Sequence, residues 1–302
     1  VRLRTLAILC AVTSLAGCAK KNGAPNQDKP PLDPPPKFED EPPPEQRKPV
    51  EGVKELEKLS DADHQRFDKL IDKLPSPCGK SHSLRTSFTT DKECARAPFA
   101  AAFVADLLDD GATDDDVREM YSSRYKADAP VRQFKLDANV PHIGPEDGRV
   151  VLVEFFDFGC PACKEFRGEL KAAAEAYPND VVLYYKQYPL AAHELSKGAA
   201  QAALAAAKQG KYHEMHELLF DKAPAHTRDA LDGYAREVGL DMKRFQADYA
   251  SAEAWVEADK KEGEGADVSG TPTLFVNGRV YDGPPLAKYV KMWVDEELAV
   301  NR

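Results

Sequence analysis

Apolar positions along the chain change their spacing more than once, and each change marks a different kind of element. Phe67, Leu70, Ile71 and Leu74 follow the i, i+3, i+4, i+7 spacing of one helix face. Ser60 with Asp63 resembles a capping pair at the start of that helix, and Pro75 and Pro77 stop it. A second helix is predicted from about Pro98 to Asp110, with Phe99, Phe103, Leu107 and Leu108 on its apolar face and Gly111 at its end. Thr113 with Asp116 starts a third, carrying Val117, Met120 and Tyr121. Residues 51–130 therefore read as a small all-α domain.

Beyond residue 130 the pattern becomes mixed α/β. Val131–Leu136 is predicted as an edge strand. Val150–Phe156 is a nearly unbroken apolar run, the pattern of a strand buried on both faces, and Val181–Tyr188 is a second central strand. Residues 192–266 are Ala-rich and helical in spacing. Thr273–Val276 and Arg279–Tyr281, joined by Asn277-Gly278, predict a hairpin. Leu286–Leu298 predicts a closing helix.

The N-terminal part has no core-forming pattern. Arg2 and Arg4 precede a short apolar stretch, Leu6 to Leu15, too short to span a bilayer as a mature helix. Leu15-Ala16-Gly17-Cys18 resembles a bacterial lipobox. That resemblance implies a signal peptide over 1–17 and lipidation of Cys18, with cleavage of a plain signal peptide as the alternative. Residues 18–50 form a Pro-rich tether, with prolines at 25, 30, 31, 34–36, 42–44 and 49. Such a stretch buries no core and favours extended polyproline conformations, reaching roughly 100 Å. The formal net charge of −10 and the lack of a basic cluster argue against a nucleic-acid partner.

The cysteines carry the chemistry. Cys10 would leave with the signal and Cys18 would be lipidated, so Cys78, Cys94, Cys160 and Cys163 remain, an even number for an exported protein. Arithmetic pairs Cys160 with Cys163 for chemistry and Cys78 with Cys94 as a structural disulfide. Cys160-Pro161-Ala162-Cys163 follows the buried strand and opens the helical stretch Lys164–Tyr177. The first cysteine at a helix N-terminus meets unpaired N–H groups and a dipole that favour a thiolate, and Pro161 suits the first turn. Half of a zinc site is the competing reading, but no second C-x-x-C or matching histidine pair supplies the other ligands.

The segment Phe155-Phe156-Asp157-Phe158-Gly159-Cys160-Pro161-Ala162-Cys163 resembles the active-site segment of the DsbA-like branch of the thioredoxin superfamily. Further matches follow in family order: Tyr185-Lys186-Gln187-Tyr188-Pro189-Leu190 with His193, then Gln209 to Phe220, then Val268-Ser269-Gly270-Thr271-Pro272-Thr273 to Gly278. The resemblance covers residues 131–302. It implies a thioredoxin-like fold with an inserted helical subdomain, Cys160 as nucleophile and Cys163 as resolving thiol. Glu154 would be the buried acid that exchanges protons with Cys163. Thr271-Pro272 would be a cis-proline dipeptide whose backbone receives an extended substrate. No cofactor and no metal is implied, and His193, His213 and His216 are given structural roles. The x-x dipeptide is Pro-Ala where the strongest oxidants of that family have Pro-His. Residues 51–130 are weakly similar to the helical thiol-reductase domain of cytochrome c maturation, through Pro77-Cys78-Gly79, Gly111 to Val117 and Arg124-Tyr125. Ser81 stands where that family's second cysteine would be.

These readings converge on an extracytoplasmic thiol–disulfide oxidoreductase, lipid-anchored in a bacterial envelope and facing the periplasm. It would oxidise dithiols of exported proteins and be recycled by a membrane redox partner. A reductase or isomerase, and a partner-binding lipoprotein without activity, are the alternatives.

Overall fold

Helix α1 (Asp61–Ile71) begins where the Ser60 hydroxyl accepts the Asp63 N–H, and it buries Phe67, Leu70 and Ile71. Helix α2 (Leu84–Thr89) is short and is capped by Ser83. Helix α3 (Ala97–Asp109) buries Phe103, Val104, Leu107 and Leu108. Helix α4 (Asp114–Tyr125) starts on a full capping box between Thr113 and Asp116. These helices share one core, which also contains Cys94 and takes in Tyr289 from the far end of the chain. Cys78 and Cys94 form a disulfide with Cα atoms 5.7 Å apart.

In this computed structural model, residues 38, 41–43 and 46–301 are described. The expected signal peptide, Cys18 and most of the Pro-rich tether lie outside them. The described residues belong to one compact unit, Pro35–Arg302.

The rest of that unit is built around a five-stranded sheet of order β1-β3-β2-β4-β5. The strands are β1 (His142–Ile143), β2 (Val150–Phe156), β3 (Val181–Gln187), β4 (Thr273–Val276) and β5 (Arg279–Val280). Strand β2 runs parallel to β3 and antiparallel to β4, so Glu154 lies opposite Tyr185 on one side and Leu274 on the other. Its central place explains its apolar run. The chain crosses from β2 to β3 through helix α5 (Pro161–Glu175). Helices α6 (Ser196–Ala207), α7 (Tyr212–Lys222), α8 (Arg228–Glu237) and α9 (Met242–Gly265) form the insertion between β3 and β4. Small side chains let α6 be almost entirely enclosed, with Ala199, Ala202, Ala203, Ala205 and Ala206 all buried. Asn277 and Gly278 both have positive φ, 47° and 77°, the conformation that an Asn-Gly hairpin turn requires. Helix α10 (Ala287–Val300) closes the chain.

The predicted edge strand at Val131–Leu136 is not a strand; the edge is His142–Ile143, which pairs antiparallel with β3. The reason lies in the backbone partners. Arg132 N–H bonds to Gly278 O at 2.7 Å, Lys135 N–H to the Glu262 carboxylate and Lys135 O to Lys186 Nζ. With these partners the segment needs no ladder, while Phe134 still stacks on Phe155 and Phe275.

Helix α10 joins the two cores. Glu296, almost wholly buried, accepts from Arg124 Nη2 and Arg96 Nη1 at 2.5 Å each and from the Tyr125 hydroxyl at 3.0 Å. The Tyr289 hydroxyl donates to Asp110 at 2.7 Å.

Candidate active site

Strand β2 ends at Phe156, and the turn Asp157-Phe158-Gly159 delivers Cys160 to the N-cap of α5, with extended backbone at φ −83°, ψ 119°. Pro161 takes the first helical position. Cys160 N–H is held by Asp157 O at 3.0 Å. Both cysteines are free thiols. Cys160 retains 7 % of its surface and Cys163 none, so only the first can meet another molecule directly.

The Thr271–Pro272 peptide is cis. The Cys160 thiol donates to Thr271 O at 3.3 Å, which places this loop directly against the outer sulfur. The loop is braced from behind by the Tyr188 hydroxyl, 2.7 Å from Val268 O.

Glu154 lies inside, 2 % exposed. Burial alone pushes its carboxyl up to about 8, so it holds a proton at neutral pH. The Cys163 thiol is pushed upward by its own burial and then by the Glu154 carboxylate; a hydrogen bond from the Asp157 backbone works in the opposite direction. Glu154 and Cys163 thus form a coupled buried pair in which a charge on one disfavours a charge on the other.

The structure brings together Cys160, Cys163, Glu154, Thr271 and Pro272. Cys78 and Cys94 belong to the α1–α4 core, whereas Cys160 and Cys163 belong to the core around the sheet. His216 is buried among Phe156, Phe158, Phe220, Tyr185 and Tyr212, and burial favours its neutral form. His213 reaches the backbone of β1 through Nε2, 3.1 Å from His142 O. Among the described residues no group of three His, Cys, Asp or Glu side chains could hold a metal ion.

Sequence reasoning passed over Asp157, whose side chain is fully buried. Its carboxylate accepts Gly159 N–H at 2.7 Å, Leu190 N–H at 2.8 Å and His193 Nδ1 at 2.7 Å. The Asp-x-Gly turn before the first cysteine was the available signal, since aspartate commonly accepts the N–H two residues on.

A dithiol on a helix N-terminus beside a cis-proline loop, on a sheet of this order, defines a class before any comparison. Residues 137–296, just over half of the chain, match the family described as thioredoxin. The chain belongs to the thioredoxin family.

Among solved structures, BdbD from Bacillus subtilis in its oxidised form shares the fold, with a TM-score of 0.51, 24% identity and coverage of 57% of this chain and 98% of that one. A thioredoxin-like oxidoreductase from Silicibacter pomeroyi DSS-3 is 34% identical over 53% of this chain and 92% of its own, with a TM-score of 0.48. Curated relatives include the Na(+)/H(+) antiporter NhaA 1 of Mycobacterium sp. (strain KMS), 36% identical over 159 residues, which are 49% of this chain and 25% of that protein. NhaA of Herminiimonas arsenicoxydans is 37% identical over 158 residues, 51% of this chain and 25% of that protein. The chain thus spans about a quarter of the length of these curated relatives.

Proposed function

We propose that this protein is an extracytoplasmic thiol–disulfide oxidoreductase that oxidises dithiols of exported proteins through Cys160 and Cys163. The observation that carries the reading is the pairing of a slightly exposed Cys160 against the Thr271 carbonyl with a buried Cys163 beside a protonated Glu154. In the oxidised enzyme a substrate thiolate attacks Cys160 Sγ. The Cys160–Cys163 bond breaks, and Cys163 leaves as a thiolate that takes the proton held by Glu154. A second substrate thiolate then attacks the substrate sulfur of the mixed disulfide, releasing the substrate's disulfide and the Cys160 thiolate. The substrate is oxidised by two electrons and the enzyme dithiol is reduced by two. Thr271 would offer its backbone to the extended substrate. Return to the disulfide form calls for an oxidising partner, which we place in the membrane.

The disulfide between Cys78 and Cys94 supports an oxidising compartment. The lipobox-like Leu15-Ala16-Gly17-Cys18 supports a lipid anchor on Cys18, and the prolines after it a spacer. Residues 51–130 are then a client-contacting or scaffolding part and 131–302 the redox domain. Antiport is not carried over, because the match covers a quarter of the proteins so named. Among the described residues no helix is long and apolar enough to cross a membrane.

The trapping experiment tests the reading. Cys163→Ser should accumulate mixed disulfides through Cys160, and Cys160→Ser should accumulate none. Equal trapping by both variants would refute the roles given to the two thiols. The redox potential of the pair decides direction: a value near the oxidising end of the family of dithiols supports a disulfide donor, and one near thioredoxin supports a reductase.

A further inference from the structure

One titratable pair beside the two thiols has no part in the exchange just described. Asp157 is enclosed, and among the described residues its carboxylate is met by the Gly159 and Leu190 N–H groups and by His193. His193 is held on both sides of its own backbone, by its N–H to Leu190 O and by Ser196 N–H to its carbonyl, each at 3.0 Å. Because Nδ1 faces the carboxylate, that nitrogen carries the hydrogen. The other ring nitrogen has no partner among the described residues, and the side chain keeps 28 % of its surface.

The ring is close to the reactive cysteine. A Cβ added to Gly159 would lie 2.9 Å from His193 Cβ and 3.0 Å from its Cγ, besides 2.5 Å from Ser196 Oγ. Only glycine fits between Cys160 and this wall. The imidazole thus packs against the residue that immediately precedes Cys160 in the chain, one Cα step of about 3.8 Å away. The Asp157 backbone, in turn, holds Cys160 N–H and hydrogen-bonds the Cys163 sulfur.

We propose that His193, fixed by Asp157, is a positioning residue for Cys160, and that the charge on its imidazole sets how readily the Cys160 sulfur becomes a thiolate in mildly acid conditions. The proposal rests on the thiol–disulfide reading above. Other titratable groups stand around the ring. Asp157 faces it from the β2–α5 turn, and Glu194 is exposed on its own turn. His226 comes from the α7–α8 connection, where its Nε2 lies 2.9 Å from Leu219 O and burial favours the neutral ring. His193, Glu194, Ser196 and His226 line a cavity of about 310 Å³ that also reaches Gly159, so solvent protons have access to the free ring nitrogen. An imidazolium held there favours a thiolate at Cys160, and by reciprocity a thiolate favours the imidazolium.

His193→Asn separates charge from packing, because its amide can donate to Asp157 where Nδ1 stood but cannot be protonated. The variant should be alkylated at Cys160 by iodoacetamide about three- to tenfold more slowly than the parent at pH 6 and equally fast at pH 9. Parental rates at both pH values would overturn the proposal. Should the variant fail to fold, NMR titration of His193 in the unaltered protein decides: its midpoint should lie at higher pH in the dithiol form than in the disulfide form, and identical midpoints would overturn it. Neither measurement requires turnover, so a protein that fails to oxidise substrates would refute the proposed function and leave this test intact.

Discussion

Glu154 gives the clearest link from a single residue to a measurable property. Its ordinary value is 4.5 and burial raises it to about 8 in the folded chain. The folded state therefore holds a proton that the unfolded state has released between those limits, and stability falls as pH rises through that window. The full contribution is present below about pH 4.5 and is lost above about pH 8. Glu154→Gln removes the ionisable group from the reduced protein. Denaturant titrations should find the variant and its parent alike in their pH response below pH 4.5, with the variant gaining on the parent toward pH 8 by on the order of a few kcal/mol. A constant difference across the range would contradict the buried-acid assignment. Glu154 was legible in the sequence because it interrupts an apolar strand. The Asp157–His193 contact was not, because the partners are 36 residues apart and nothing in either neighbourhood states that the turn after β3 folds back over the turn after β2.

Among the elements, legibility followed length and periodicity. Helices α1 and α4 announced themselves through several turns of spacing and a capping residue, and α3 through its spacing and the glycine beyond its end. Helix α2 has six residues, too few to display a period. The first strand was misplaced because His142–Ile143 is two residues long, while Val131–Leu136 has the composition of a strand but finds its backbone partners in side chains and a turn. The disulfide acts at this scale as well. It ties the loop after α1 to the start of α3 across a separation of 16 residues, which in the chain-entropy picture stabilises the fold by about 3 kcal/mol. Replacing Cys78 and Cys94 together by serine should lower the melting temperature and leave the rate of dithiol oxidation at Cys160 unchanged at temperatures where the variant is folded. Collapse of turnover with normal melting would instead make the pair a second redox relay.

At the scale of the whole molecule, the helical segment and the thioredoxin fold meet over a buried ionic cluster. Arg124 is 5 % exposed, stacked on Phe103, Tyr125 and Trp293, and bound to Glu296, which is 1 % exposed. No sequence pattern revealed this, since the two residues are 172 positions apart and each sits in an otherwise ordinary helix. A buried pair of this kind need not stabilise the fold more than apolar side chains would, but removing one member leaves a charge enclosed without its partner. Glu296→Ala strands Arg124 and weakens the hold on Arg96, although Glu297 still accepts from Arg96 at 3.2 Å. The expected loss is about 3–5 kcal/mol. Exchanging both partners, Arg124→Met with Glu296→Leu, should recover much of it, because no buried charge is then left behind. If the cluster couples the two parts, calorimetry of the parent should give one transition, Glu296→Ala should separate the melting of the helical segment from that of the redox domain, and the double variant should merge them again. One unchanged transition in Glu296→Ala would show that the apolar contacts of Tyr289 and Phe103 hold the two parts together without it.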